Sequence, residues 1–356
     1  MKENPTLHTK SPVSQLNRGL IYQGGALMLS LLFVAVIILL TGESPLHVVS
    51  ALVDGAFGTP DQFARVFATL TPLVLCASGL IYTFTAGLYN LGVEGQIVIG
   101  AIASTLAIRV LQGQLPPPLV IAVSILAGTL GGVLWGLLAG ALKVYGNISE
   151  IFAGLGLNFV AQGLAIYLIF GPWKRPGIAS MSGTEPFDDA FALGRFGQTD
   201  AAPVALAIAV IVLVATIVIM RNTHFGLRLK AVGQNPRAAF ILGMPSTRLL
   251  LSSFLVCGAF AGMAGSLQVV GLFHRLIPSI SSNLGFLALL VVMLISFNAV
   301  WIAPVAFFFS ALNVGSLQLP MALRMESSLS GVIQGMLVLF ALLARGFSER
   351  NRKTRS

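Results

Sequence analysis

Gly226-Leu-Arg-Leu-Lys-Ala-Val-Gly-Gln-Asn-Pro-Arg-Ala-Ala-Phe-Ile-Leu-Gly243 is a basic polar island between two strongly apolar segments. Asn235 offers an N-cap, Pro236 suits the first helical position because its missing N–H has no partner there in any case, and Gly243 can take the left-handed conformation that closes a helix. The spacing predicts a helix of about two turns over 236–242. A helix so short is unstable alone and must be held by packing. The island carries Arg228, Lys230 and Arg237 and no acid. It reads either as a cytoplasmic knob offered to a soluble partner or as a positive-inside loop with a chance capped turn.

The flanks decide the class. The chain has 356 residues, 56% of them hydrophobic and 9% charged, with a mean hydropathy of +0.90. A soluble domain needs more polar surface than this, so an all-α, polytopic membrane protein embedded in a lipid bilayer is expected. The net charge of +9 would suggest nucleic acid in a soluble chain. Here 13 of the 21 Lys and Arg fall within 1–21, 221–248 and 345–356, which marks those three stretches as cytoplasmic and leaves no nucleic-acid partner. Cys76 and Cys257 lie in apolar runs, far from any Cys or His at metal-ligand spacing, and read as small packing residues with no metal.

Apolar runs at 22–41, 63–84, 97–111, 118–142, 150–170, 203–220, 249–270, 284–299, 301–319 and 328–344 give about ten spans with both termini inside. Residues 1–21 form a cytoplasmic tail and 346–356 a basic cytoplasmic tail. Between them, 22–345 is one transmembrane domain, with an external loop at 171–202 and a cytoplasmic loop at 221–248. The first run is long for a signal peptide and is expected to be retained. Residues 42–62, without Lys or Arg, read as an external loop. Asn298 and Pro304 blur the pair at 284–319, which could be a helical hairpin or a re-entrant pair without changing the parity.

Gly128, Gly132, Gly136 and Gly140 recur every four residues and leave a flat ridge for a neighbouring backbone. Gly258 with Gly262, and Gly331 with Gly335, repeat the device. Packing within the subunit is the expected use. Ionisable residues are nearly absent from the spans apart from edge positions such as Arg65, Arg109 and Glu150. What remains is polar and neutral. Asn158 and Gln162 share a helix face with Gly154 and Glu150, and could serve either interhelical hydrogen bonding or contact with a solute. Gln268, Asn298, Asn313 and Gln334 read as packing residues. The block Gly87-Leu-Tyr-Asn-Leu-Gly-Val-Glu-Gly-Gln96 is too polar and glycine-rich for a continuous span. Such a break either lines a pathway, with Asn90, Glu94 and Gln96 facing it, or forms a tight polar turn at the cytoplasmic edge.

Ala231-Val-Gly233-x-Asn235-Pro236-x-Ala238-Ala239-x-x-x-Gly243 resembles the coupling segment of bacterial ABC importer permeases of the branched-chain amino acid, ribose and nucleoside group. Phe240 stands where relatives often carry Arg. Tyr89-Asn90-Leu-Gly92-Val-Glu94-Gly95-Gln96 resembles the corresponding segment of the nucleoside-type permeases, as does the run Leu142-Lys143, Ser149-Glu150-Ile151, Leu157-Asn158, with Ser149 in place of the usual Asn. Gly285-Phe286, Ala288-Leu-Leu290 and Val332-Ile-Gln-Gly335 resemble late segments of the same group.

The resemblance implies a multi-pass protein of the bacterial inner membrane that carries no cofactor. ATP and Mg would be used by separate ATP-binding subunits, reached through Gly233, Asn235, Pro236, Arg237, Ala238, Ala239 and Gly243. It further implies a second permease subunit, identical or paralogous, and an extracytoplasmic solute-binding lipoprotein. No G-x-x-x-x-G-K-[ST] phosphate loop is present, in keeping with ATP hydrolysis elsewhere. A secondary transporter would show carboxylates inside its spans, and an intramembrane enzyme a nucleophile beside a base; His8, His47, His224 and His274 all lie outside the apolar runs. The expected cargo is a neutral polar solute, a nucleoside first, with a simple sugar or a branched-chain amino acid as alternatives.

Overall fold

The computed structural model describes residues 28–29, 31–40, 42–175, 183–194, 199, 201–323 and 327–353. The expected tail at 1–21, the start of the first span at 22–27 and part of the 171–202 loop lie outside them. The described residues form helices, with no strand among them. In order these are α1 (Leu31–Leu40), α2 (Pro45–Phe57), α3 (Pro60–Thr85), α4 (Val93–Leu111), α5 (Pro117–Val144), α6 (Glu150–Phe170), α7 (Pro203–Asn222), α8 (His224–Gln234), α9 (Pro236–Ile241), α10 (Ser246–Leu267), α11 (Leu284–Leu294), α12 (Ile302–Ser316), α13 (Leu319–Leu323) and α14 (Leu329–Lys353).

Proline at the first helical position opens α3, α5 and α7, where a missing N–H has no cost. Thr59 adds a side-chain cap to α3, its hydroxyl accepting the Gln62 N–H at 3.2 Å. Seven helical stretches are long and apolar enough to cross a membrane: α3, α4, α5, α6, α7, the run Ser246–Phe273, and Ala299–Ser316. α1 and α2 together supply at most one more, and Leu284–Leu294 and Leu329–Leu343 are shorter apolar helices. The chain is thus a polytopic helical membrane protein.

The helices divide into two compact units, residues 52–315 and a smaller one made of 1–51 with 316–356. In the smaller unit Phe33 and Phe340 pack with ring centroids 6.0 Å apart. In the larger unit α3 is the most enclosed helix, and α10 lies against α3, α4 and α5. Glycine makes those contacts possible. A Cβ on Gly132 would run into the Gly258 carbonyl and lie 2.6 Å from the Gly262 Cα; on Gly136 it would lie 2.6 Å from the Phe254 carbonyl. Gly128 meets Ser266, Gly140 meets the Phe254 ring, and Gly100 of α4 abuts Gly262 from the other side. Three backbones therefore converge at Gly262, close enough for dispersion and weak Cα–H···O contacts in place of side chains. A Cβ on Gly331 or Gly335 would meet no described atom within 4 Å, so the same spacing in α14 has no such partner among the described residues.

Two stretches differ from the sequence reading. Residues 45–57, read as loop, are helical: Pro45 fixes the starting φ, and Ala56 joins Val66 and Val314 in a buried cluster that Phe307 and Ala311 cover. The run at 284–299 ends as a helix at Leu294, because Ser296 and Phe297 take positive φ of 55° and 63° and Asn298 caps a 3-10 turn through the Val300 N–H. It begins only after an irregular stretch, 274–283. α11 is therefore half a span.

Candidate functional site

The island quoted first folds as two helices. Thr223 caps α8 by accepting the Gly226 N–H at 3.3 Å, and Asn235 caps α9 by accepting the Ala238 N–H at 3.0 Å. Pro236 opens α9. Gly243, at φ 75°, closes it: its N–H reaches the Phe240 carbonyl at 2.9 Å and the Met244 N–H reaches the Ala239 carbonyl at 3.0 Å. That pair of bonds is a Schellman closure. Ala239 is buried, whereas Phe240, Ile241 and Leu242 are 73%, 78% and 74% exposed. The tip of the island is therefore apolar, with Arg228, Lys230 and Arg237 exposed beside it.

The polar break lies next to this island. A Cβ on Gly233 would run into the Thr85 carbonyl, and one on Gly87, at φ 78°, would lie 3.1 Å from the Gly233 carbonyl. Nearby, Phe84 packs on Tyr89 and on Phe297 with centroids 5.1 and 5.3 Å apart, and Arg221 donates to Asn298 at 3.4 Å. The ends of α3, α7, α8 and α11 thus gather at one end of the unit.

Within the break the amides of Asn90 and Gln96, both fully buried, exchange hydrogen bonds at 3.3 and 3.4 Å. Asn90 also donates to the Cys257 sulfur at 3.1 Å and accepts the Gly92 N–H at 3.2 Å. From α6, Asn158 accepts the Gly95 N–H and donates to the Leu91 carbonyl, both at 2.8 Å, so the unwound backbone finds partners without water. The approach needs glycine on both sides: a Cβ on Gly92 would lie 3.1 Å from the Gly154 Cα. Glu150, at the start of α6, pairs with Lys143 at 2.7 Å.

Glu94 and Gln162 reach the irregular stretch before α11. The Glu94 carboxylate, 6% exposed, accepts the Phe286 N–H at 3.1 Å, with Gly285 and Ser281 as further donors. Leu284, Gly285 and Phe286 are the first three residues of α11, so Glu94 caps that helix from a different element, with its acceptor oxygen at the positive end of the helix dipole. Gln162 donates to the Pro278 carbonyl. Asn90, Glu94 and Gln96 are buried; Asn158 and Gln162 are half-buried, while Val160 and Tyr167 are exposed on the opposite face of α6. Sequence reading did not single out Ser281, Gly285 or Phe286 as partners. The polar run Ser279-Ile-Ser-Ser-Asn283 ahead of an apolar helix is the cap signal that marks this helix start.

At the other end of α10, a described part of the 171–202 loop is tied down. The Thr184 N–H reaches the Leu276 carbonyl at 2.9 Å, the Phe187 N–H the His274 carbonyl at 2.8 Å and the Leu193 N–H the Val270 carbonyl at 2.8 Å. The helical run Ser246–Phe273 separates this loop from α9; at 1.5 Å per residue it spans about 40 Å, more than a bilayer's hydrocarbon core.

A protein-family model described as branched-chain amino acid transport system, permease component, matches residues 62–342. The chain belongs to this family. Among curated relatives, the glucose ABC transporter permease protein of Haloferax volcanii is 31% identical over 294 residues, covering 80% of this chain and 76% of its own. The guanosine ABC transporter permease protein of Bacillus subtilis is 28% identical, covering 88% and 90%. The nucleoside ABC transporter permease protein of Lactococcus lactis is 27% identical, covering 82% of each. The permease is an integral, multi-pass membrane subunit of an ABC transporter, and not itself an enzyme. As a component of this class it works with ATP-hydrolysing subunits and a solute-binding protein.

Proposed function

We propose that the permease imports a neutral polar solute, a nucleoside, on ATP hydrolysis by separate subunits. The observation that carries this reading is the state of Glu94. It is the most deeply buried carboxyl among the described residues, and it is already engaged by the first amides of α11. The other Asp, Glu, Lys and Arg residues of the seven spanning helices stand near helix ends. A charged solute entering a low-dielectric path without a fixed opposite charge would meet a desolvation penalty of several kcal/mol. A neutral one would not.

Among neutral solutes, the nucleoside rests on the Asn90 to Gln96 block, the Glu150 to Asn158 run, and the guanosine and nucleoside permeases among the relatives. A simple sugar is the second reading, favoured by the 31% identity to a glucose permease. In our reading Asn158 and Gln162 touch the solute, while Asn90, Glu94 and Gln96, together with the bonds Asn158 makes to Gly95 and Leu91, hold the break in position. α9 docks on the ATP-binding subunit with Ala239 seated inward and Phe240, Ile241 and Leu242 presented outward. A second permease subunit completes the path, and a solute-binding lipoprotein delivers the cargo to the face carrying residues 171–202.

Uptake into proteoliposomes with the cognate binding protein tests the cargo. Labelled nucleoside is expected to enter, to be competed by other nucleosides and to be unaffected by charged amino acids. Uptake of a charged amino acid at a comparable rate overturns the electrostatic argument; uptake of sugar alone keeps that argument and discards the nucleoside.

A further inference from the structure

A cavity of about 390 Å³ lies between the first turns of α3, the first turns of α7 and the end of the Ser246–Phe273 run. Its walls are carbon almost throughout, with Phe63, Phe67 and Pro72 from α3, Ala205 from α7 and Leu272 beyond α10. No charged side chain lines it. Phe63 and Phe67 meet edge to face at 5.0 Å, and Phe63, 42% exposed, stands at the rim. One side-chain amide belongs to the lining, that of Gln268, a residue only 4% exposed. Gln268 is also where α10 gives way to a π-helical turn, Gln268–Phe273, a local distortion frequent at functional sites.

Two physical arguments select the occupant. Water held in a cavity needs two to four polar partners, and the lining offers only the Gln268 amide and the hydroxyls of Thr199 and of Thr71, the latter already given to the Phe67 carbonyl at 3.0 Å. An empty cavity of this size would forfeit the dispersion contacts of its lining, and the surrounding bilayer offers hydrocarbon chains to restore them. Depth then accounts for the amide. Pro60 and Pro203 open their helices at this end and Gln268 caps α10 there, so the cavity sits where spanning helices end and lipid headgroups begin. At that level a phospholipid carries its ester carbonyls, which accept hydrogen bonds. We propose that this cavity is a lipid site that takes one acyl chain of a diacyl glycerophospholipid, with the Gln268 amide donating to the ester carbonyl at the root of the chain.

The test compares phospholipids of the same headgroup and chain length, ester-linked or ether-linked, retained by the assembled transporter in native mass spectrometry. The ether form lacks the carbonyl. The wild type is expected to retain the ester form about two- to tenfold better, the worth of one neutral hydrogen bond. Gln268→Leu should erase that preference while still retaining lipid, because the apolar walls remain. Ala205→Phe, which fills the cavity, should lose the bound lipid; Ala205→Val is the milder filling variant and should weaken retention if the larger side chain prevents assembly. Equal retention of both lipids by the wild type, or undiminished retention in the filled variants, overturns the proposal. Displacement of the lipid by millimolar nucleoside also overturns it and makes the cavity a solute subsite.

Discussion

Gly87 and Gly233 meet backbone to backbone, 146 residues apart in sequence: a Cβ on Gly87 would lie 3.1 Å from the Gly233 carbonyl, and one on Gly233 would run into the Thr85 carbonyl. The contact joins the last turn of α8, two residues before the α9 cap, to the polar break between α3 and α4. We propose that a displacement of α9 would reach the break through this backbone contact, with no flexible side chain between them.

Gly233→Val is predicted to uncouple the permease. The new side chain collides with the Thr85 carbonyl, so α8 must shift away from the break. The expected result is normal membrane insertion with loss of solute-stimulated ATPase activity in the reconstituted complex. Coupling at the wild-type level would show that motion does not pass through this contact.

Loss of the α9 cap should behave differently from its repair. Asn235→Ala removes the acceptor for the Ala238 N–H and should cost about 1 kcal/mol of local helix stability, whereas Asn235→Asp or Asn235→Ser retains it. Hydrogen exchange at 237–242 measures this directly, with faster exchange expected only in the alanine variant. Ala239→Glu forces a carboxylate into a buried position and should both speed that exchange and abolish ATPase stimulation.

Glu94→Ala leaves the first amides of α11 without an acceptor and should destabilise the protein by about 1–3 kcal/mol. Glu94→Gln keeps an acceptor oxygen but loses the charge, so a smaller drop in the midpoint of thermal unfolding is expected. Equal and negligible shifts in both variants would remove the trans-capping role.

The helix junction gives a fourth prediction. Gly262→Leu places a side chain where the backbones of α4, α5 and α10 meet and should destabilise by more than the roughly 1–3 kcal/mol typical of overpacking, because backbone cannot move aside as a rotamer can. Gly331→Leu, at the same kind of spacing in α14, should leave the unfolding midpoint of the isolated subunit within error.

Sidedness is open to labelling. Single cysteines introduced near residues 190 and 230, in a background lacking Cys76 and Cys257, should react from opposite sides of the membrane, the first from outside and the second from inside. Labelling of both from one side would discard the ten-span arrangement with cytoplasmic termini.

Local chemistry was readable in the sequence and distant pairing was not. Asn235, Pro236 and Gly243 act within one turn of themselves, so their types alone announce the cap and the closure that the backbone shows. The bulk of the apolar runs fell where helices lie, because a span must bury some 20 residues whatever its neighbours. α2 escaped because a 13-residue segment with His47, Ser50 and Asp54 has neither the length nor the continuity of a span. The amides of Asn90 and Gln96 invited a pathway reading, yet each turns to the other, a pairing that hydropathy and spacing do not encode. Glycine spacing likewise marks a helix that can be approached and says nothing of what approaches, as Gly132 and Gly331 show by their different surroundings.

The Glu94 cap has a consequence for biosynthesis. Its carboxylate and the Phe286 amide are 192 residues apart. At about 5–20 residues per second, α11 leaves the ribosome roughly 10–40 s after α4 does. Through that interval the carboxylate lacks the amides that will hold it, and burying it uncompensated would be costly. The start of α4 must therefore remain near water, or borrow a temporary partner, until the second half of the chain arrives. The early helices can be threaded into the bilayer in order, but their final seating waits on a segment translated long afterwards.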